Sequence, residues 1–307
     1  MSKNKKEIWY NKMNIAFGMI VFNGNYVLKE CLESVYPFAS QILISEGPVK
    51  YWQGQGYETS TDGTNDILHE FYDPENKIVI EHGQYEEKNE QCNRYIKHMK
   101  DDTDYIWNLD SDEIFKPDDI GLVIQALKDY SFTSVGFKSL SFYGGFDNYL
   151  TGFEEDAEFH RIRKVYPGSY WSTHRPPTIA HKAQPTLQEL HLSYNMLADY
   201  GVRMYHYSYV FPKQVDLKVQ YYKAAVSMDN CIDDYYEKVY HRWVTRPELR
   251  EEIEKEREGV HEFKPQYRGP CYTTKFEGEH PPKIQENIDL LKDKFDNQLK
   301  EVWHENL

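Results

Sequence analysis

Ile15 to Phe22 is an almost unbroken apolar run, the pattern of a strand covered on both faces. Directly after it, Val27, Cys31, Leu32 and Val35 recur at helical spacing, which predicts a helix over 26–35. The alternation then repeats. Gln41 to Ser45 predicts a second strand, ending at Glu46-Gly47-Pro48, and a polar Gly-rich loop runs from Val49 to Ser60. Thr61-Asp62-Gly63-Thr64 is placed to cap a helix carrying Ile67, Leu68 and Phe71. Lys77 to Glu81 and Glu90 to Met99 supply a third strand and helix, and Asp104 to Leu109 and Asp118 to Tyr130 a fourth pair. Such repetition implies an α/β fold whose mainly parallel sheet is flanked by helices. Ligands of such sheets bind beyond the carboxyl ends of the strands, so Asn23, Glu46, His82 and Asp110-Ser111-Asp112 are expected to converge on one crevice.

Beyond residue 130 the rhythm changes. Thr133 to Tyr143 reads as one longer strand, followed by Gly144-Gly145 and an acidic loop at Glu154-Glu155-Asp156. Phe159 to Val165 and Tyr205 to Val210 predict further strands, and Lys213 to Met228 a helix. Arg246 to Gly259 is so highly charged that it predicts a solvated helix. Ile284, Ile288, Leu291, Phe295 and Leu299 form a stripe that packs a last helix onto the body. The expected division is a catalytic α/β domain over 1–212 and a helical C-terminal extension over 213–307 packed on it.

Composition narrows the classes of partner. A net charge of −14 over 307 residues argues against a nucleic-acid backbone or an anionic membrane surface as the main partner. An acidic chain still binds an anionic nucleotide where a divalent cation neutralises the phosphates. The 26 tyrosines suit a cleft for sugars or nucleobases and suit half-buried packing equally. No stretch has the ~18 to 20 apolar residues of a membrane span, and the polar, basic Met1–Lys6 is not followed by a signal-peptide core. Cys31, Cys92, Cys231 and Cys271 have no paired spacing, which fits a reduced, cytoplasmic chain.

The chemistry concentrates in Trp107-Asn108-Leu109-Asp110-Ser111-Asp112-Glu113. Two Asp separated by one residue just past a strand can present both carboxylates to one hard cation that shares its shell with substrate phosphates. The plainer reading is an acidic helix start, a job that Asp118-Asp119 can do nearby.

The first 130 or so residues resemble family 2 glycosyltransferases of the GT-A fold. The matching elements are Phe22-Asn23-Gly24-Asn25, Cys31-Leu32-Glu33-Ser34-Val35, Glu46, Ser60-Thr61-Asp62-Gly63-Thr64, the polar segment Lys88 to Asn93, and the Asp-x-Asp. The resemblance implies a nucleoside-diphosphate sugar donor, with UDP or GDP as the nucleotide, and a carbohydrate or other hydroxyl acceptor. It places Asn23, Glu46, Asp62, Lys88, Asn93, Asp110 and Ser111 on the donor. Asp110, Asp112 and the late His206 would hold Mn2+ or Mg2+. Glu46 stands where the family usually has Asp, and Asp62 serves equally as a helix cap. His206 has a plain alternative too, a histidine packed among tyrosines.

For an inverting displacement the resemblance offers two bases. Gly144-Gly145-Phe146-Asp147 with Glu155-Asp156 resembles a family pattern whose last Asp is the base, which points to Asp156 and then Glu155. Phe159 to Lys164 followed by Trp171-Ser172-Thr173-His174 resembles relatives with an Arg-rich strand and a His-Glu pair, which points to His174; here Arg175 replaces the Glu. Gly278-Glu279-His280-Pro281-Pro282 resembles a late Gly-x-His-Pro element, and its prolines also punctuate the start of the last helix. A nucleotidyltransferase, or a non-catalytic carbohydrate- or nucleotide-binding protein on the same fold, is the alternative. Asn23-Gly24-Asn25 is short and uncharged for the phosphate loop that nucleotidyl transfer needs.

Overall fold

The computed structural model describes residues 13–182, 189–226 and 228–305, so the Met1–Lys6 reading lies outside the described residues. The apolar run becomes β1 (Ile15–Val21), with all but one residue buried. It is followed by β2 (Gln41–Glu46), β3 (Ile78–His82) and β4 (Tyr105–Asn108), which line up parallel as β4-β1-β2-β3. Alternation along the strands covers both faces. Ile15, Phe17 and Met19 join the core built with helices Leu28–Val35 and Pro117–Tyr130. Ala16, Leu43 and Ile106 join Cys92, Tyr95 and Ile96 around helix Lys88–Tyr95 on the other side.

The next strands are β5 (Glu113–Ile114), β6 (Ser134–Phe137), β7 (Ser139–Tyr143), β8 (Asn148–Leu150) and β9 (Phe159–Lys164). The single strand expected over 133–143 is therefore two, broken at Lys138. β6 belongs to the first sheet and β7 to a second. Both are almost wholly buried, and a strand covered on both faces reads as one apolar run whichever sheet it joins. The chain continues through the hairpin β10 (Ser169–His174) and β11 (Pro177–His181), then β12 (His191–Leu192), β13 (Met204–Tyr209) and β14 (Thr273–Lys275). The first sheet has the order β12-β6-β9-β4-β1-β2-β3 and only β9 runs against the rest, so the expected mainly parallel sheet flanked by helices is the architecture found. The second sheet is β14-β8-β7-β13-β5.

Two registers in these sheets set up the site. In the second sheet His206 stands opposite Glu113 on β5 and Ser141 on β7. In the first, Ile162 faces Val135 while His160 faces Gly136, so Arg161 is an extra residue on β9, a bulge. Bulges of this kind re-aim a side chain, and Arg161 reaches Asp110 and Glu113.

The rest of the chain wraps the second sheet. The helix expected to reach Met228 is α-helical over Pro212–Tyr221 and then widens to a π turn over Tyr222–Val226. Tyr143, Tyr209, Tyr235, Tyr236 and Tyr240 pack with Trp243 in a separate core. Much of the tyrosine content is thus spent on packing. Tyr235 donates to the Val260 carbonyl at 2.6 Å and Tyr209 to Glu262 at 2.6 Å, as buried phenols require. Gly144 serves this core too: at φ +62° it lies against Trp243, where a Cβ would stand 2.5 Å from the ring. Helix Arg250–Arg257 buries only Ile253, in line with its charge. The last helix, Pro282–Glu305, buries Ile284 and Leu291 and packs on helices Leu28–Val35 and Pro212–Tyr221. Lys294 on it donates to Asn25 Oδ1 at 2.8 Å. His280, just before it, donates from Nε2 to the Phe146 carbonyl and receives the Tyr207 hydroxyl at Nδ1, a structural tie.

Candidate active site

A cavity of about 670 Å3 opens beyond the carboxyl ends of β1 and β4, between the first sheet, the second sheet and helix Pro212–Tyr221. Asn23, Asp110, Ser111, Asp112, Lys88, His174 and His206 line it, as the sequence reading expects. Asn23 is held at φ +47° with its Oδ1 receiving the Thr61 N–H at 2.8 Å. Asp110-Ser111-Asp112 turns immediately after β4, and the Glu113 N–H closes the turn on the Asp110 carbonyl at 3.1 Å.

Other expected donor residues are placed elsewhere. Glu46 does not line the cavity; it is fully buried. Its carboxylate is occupied by the Ser60 N–H at 2.8 Å, the Thr59 hydroxyl at 3.1 Å and His82 at 2.9 Å. These bonds hold its pKa low against the burial that would raise it. The Glu46 side chain thus staples the loop that follows β2, and His82 goes to Glu46 rather than to the crevice. Asp62 receives the Asn25 N–H and the Thr64 N–H and hydroxyl, which makes it a loop organiser. Asn93 exchanges hydrogen bonds with the Trp171 backbone, fixing helix Lys88–Tyr95 to β10. From the same helix Gln91 lines the cavity instead.

The acidic side of the site is graded by its partners. Arg161, 8% exposed, grips Glu113 with two nitrogens and stands 3.2 Å from Asp110 Oδ2. Burial would raise Asp110, and Arg161, His174 and Lys88 outweigh it, so Asp110 stays ionised. Glu113 has no exposure, and burial lifts it above the usual carboxylate range against the pull of Arg161. Asp112 Oδ2 receives Gln214 at 2.8 Å, and its Oδ1 stands 3.6 Å from His206 Nε2. Burial lowers His206, but the charge of Asp112 dominates and raises it.

The His206 tautomer follows from its neighbours. Ser141 donates its only hydroxyl proton to Glu154 at 2.9 Å, so its oxygen receives Nδ1–H of His206 at 3.4 Å. Nε2 is therefore the nitrogen presented beside Asp112. With a cation in place of a proton at Nε2, an imidazole beside carboxylates suits Mn2+ or Mg2+ completed by phosphate oxygens. The chemistry of the donor set fits, although Asp110, Asp112 and His206 do not draw three donor atoms within 4.8 Å; among the described residues only Glu158, His160 and His191 do.

The opposite wall is basic. Burial, reinforced by Arg175, pulls the Lys88 ammonium down to about 7. Arg175 lies 4.6 Å over the Tyr222 ring. Burial and then Lys88 push His174 down to about 3 against Asp110. Lys218, which the sequence reading missed, lines the cavity 3.6 Å over the Tyr209 ring.

The two expected carboxylate bases are outside. Asp156 is 80% exposed, 3.9 Å from Lys138, and neither it nor Glu155 lines the cavity. Glu154, from the same helical turn Phe153–Asp156, does. The sequence reading also missed Glu262, whose acidity burial opposes and His261 restores, holding it near 2.

The Arg161 grip yields a stability prediction. Arg161→Ala leaves Glu113 buried without its cation and is expected to destabilise the fold by roughly 3–5 kcal/mol. Glu113 already titrates above its unfolded value. Between those two values the folded state holds the extra proton and stability falls as pH rises. Losing Arg161 moves the folded pKa further up, so the destabilisation should be larger at pH 8 than at pH 6. Urea unfolding at both pH values checks it; an equal loss at both would contradict the assignment.

Residues 58–183 match the profile of the glycosyl transferase family 2. No curated protein matches the chain. Among solved structures, S. aureus TarS 1-349 aligns at 15% identity over 41% of this chain and 36% of that one, with a TM-score of 0.32. The same protein in complex with UDP-GlcNAc aligns at 11% identity over 77% of this chain and 73% of that one, with a TM-score of 0.37. 4-Diphosphocytidyl-2C-methyl-D-erythritolsynthase from Anaerococcus prevotii DSM 20548 aligns at 14% identity over 42% and 56%, with a TM-score of 0.30. The chain thus spans about a third of the length of the first of these. Among the described residues no helix is long and apolar enough to cross a membrane. The profile match falls on the segment that carries Ser60 to Thr64, the Asp-x-Asp, Glu154 and His174, so this stretch of the α/β fold is similar to the glycosyl transferase family 2.

Proposed function

We propose that this protein moves a sugar from a nucleoside-diphosphate donor to a hydroxyl acceptor, with inversion and with a divalent cation. The carrying observation is the pairing of Asp112 with an Nε2-presenting His206 at a sheet-end cavity whose facing wall holds Lys88 and Arg175. Asp110, Asp112 and His206 are the proposed holders of Mn2+ or Mg2+, which supplies positive charge against the departing diphosphate. Lys88 and Arg175 bind the same phosphates from the other side, and His174 orients them. Asn23, Ser111 and Gln91 line the donor half. Most of the lining comes before residue 212; Gln214 and Lys218 from helix Pro212–Tyr221, and Glu262 beyond it, complete it.

Neither expected base keeps its role in this reading. Asp156 faces away, and an imidazole as weakly basic as His174 gives little driving force to proton transfer near neutral pH. Of the other cavity carboxylates, Glu262 is engaged by His261 and Tyr209, and Glu158 by His191 and the Tyr194 N–H. Glu154 receives one hydrogen bond, from Ser141, and its Oε2 is 3.8 Å from His261. It is the proposed base. In the transfer, the acceptor oxygen forms its bond to the anomeric carbon as its proton passes to Glu154. The bond from that carbon to the donor phosphate breaks, and the nucleoside diphosphate leaves with the electron pair.

Titration calorimetry with UDP and GDP in the presence of Mn2+ tests the donor site. Lys88 is largely neutral at pH 8, and an anionic diphosphate favours its charged form. Binding at pH 8 should therefore take up approaching ~1 proton, seen as a dependence of the enthalpy on buffer ionisation. Affinity should fall as pH rises past about 7. Absence of Mn2+-dependent binding of either nucleotide would sink the reading, and pyrophosphate release from a nucleoside triphosphate would assign nucleotidyl transfer instead.

A further inference from the structure

We propose that Glu158, His160 and His191 form a separate divalent-metal site, for a zinc-class cation, at the edge of the cavity. Two strands of the first sheet, β9 and β12, supply its residues. Glu158 immediately precedes β9, His160 lies on β9, and His191 lies on β12. Their donor atoms all fall within 4.8 Å of one another. Two imidazoles and a carboxylate are a donor set of borderline softness, suited to Zn2+ or Co2+ and distinct from the oxygen-dominated set at Asp110 and Asp112.

The hydrogen bonds leave a nitrogen of His191 without a proton to give. Glu189 Oε1 receives Arg163 at 2.6 Å and the Ser134 hydroxyl at 2.7 Å, and Ser134 has no second proton. Its oxygen must then receive Nδ1–H of His191 at 2.7 Å. Nε2 of His191 is left facing Glu158 Oε1 at 2.7 Å. A lone pair and a carboxylate at that separation require something positive between them, either an extra proton or a cation.

His160 distinguishes the two. Its Nδ1 is buried without a hydrogen-bond partner, and its Nε2 stands 3.9 Å from Glu158, too far for a hydrogen bond. An imidazolium–carboxylate pair at His191 and Glu158 leaves His160 with nothing to do there; a metal uses all three.

The backbone is shaped for the cluster. Gly136 on β6 lies beneath Glu158, and a Cβ at that position would stand 2.2 Å from Oε1. Ser134, two residues earlier on the same strand, orients His191 from behind, as outer partners of metal-bound histidines do. Glu158 and His160 also line the cavity, so coordination positions that the protein leaves open face it.

The test uses the full chain carrying Asp112→Asn, stripped with chelator and titrated with Co2+ by calorimetry and visible absorption. One Co2+ per chain with d–d bands of low coordination number is expected. His160→Gln on that background should abolish saturable binding, and because this ring has no protein hydrogen bond to lose, its folding is not at stake. Ser134→Ala should weaken Co2+ at least ~10-fold through loss of the outer partner. Absence of Co2+ binding to the parent, or unchanged binding in His160→Gln, would overturn the proposal and leave an imidazolium–carboxylate pair. Neither result bears on UDP binding, so the donor site is judged separately.

Discussion

Asp112→Asn is expected to lower kcat/KM for sugar transfer by about 10^2–10^3-fold, the loss that follows when one preorganised electrostatic partner of a developing charge is removed. The substitution keeps the side-chain volume. The Gln214 contact at 2.8 Å can survive, because Asn retains an oxygen acceptor. What is lost is the charge beside His206. His206 is raised by that charge, so in the variant its pKa should fall, and a shift of its imidazole resonance in an NMR titration would report it. Thermal stability should change by less than ~1 kcal/mol, since Asp112 is part-exposed and is not the partner of Arg161. Normal turnover of the variant with UDP- and GDP-sugars would remove the assignment of the metal to this motif.

Glu154→Gln is expected to lower kcat by roughly 10^2–10^4-fold with little change in donor affinity, the range attributed to a positioned general base. Gln can still receive the Ser141 hydroxyl, so His206 keeps its orientation and nucleotide binding with Mn2+ should persist. Asp156→Asn serves as the matched comparison and should stay within about twofold of wild type, because its side chain is exposed beside Lys138. If Asp156→Asn instead causes the large loss and Glu154→Gln the small one, the base belongs to the outward face and the acceptor approaches from there. Measuring kcat and KM separately for both variants decides it.

These two residues also mark how far the sequence reaches. The cavity wall beyond β1 and β4 was legible because each of its signals is local. Continuous apolar runs mark strands buried on both faces, and an Asp-x-Asp directly after one of them lands at the ligand edge of the sheet. Glu154 and Asp156 share a single helical turn and differ by two residues, about 200° around the axis. Which of them faces inward depends on Ser141, which a distant register supplies, and no spacing in the acidic loop encodes it. Glu46 misleads for a related reason. Its place at the end of β2 is right, but Ser60 and His82 come from other segments and close around its carboxylate. Lys218, Gln214 and Glu262 lie more than 100 residues beyond the Asp-x-Asp and carry no motif. The packing of helix Pro212–Tyr221 across the second sheet brings Gln214 and Lys218 to the cavity, and the bond from Tyr209 on β13 holds Glu262 there.

The break at Lys138 has a mechanical consequence. Two of the passages that sew together the sheets walling the cavity are very short: the chain from Phe137 to Ser139, and β5, which carries the Asp-x-Asp turn straight into a pairing with His206. The Lys138 carbonyl receives Met204 N–H at 2.9 Å, and the Asp112 carbonyl receives Tyr207 N–H at 2.8 Å, along the same seam. Opening the cavity like a clam shell would tear those backbone bonds. Along this seam the two walls are fixed to each other, so the cavity is reached through an aperture rather than by the travel of a lobe.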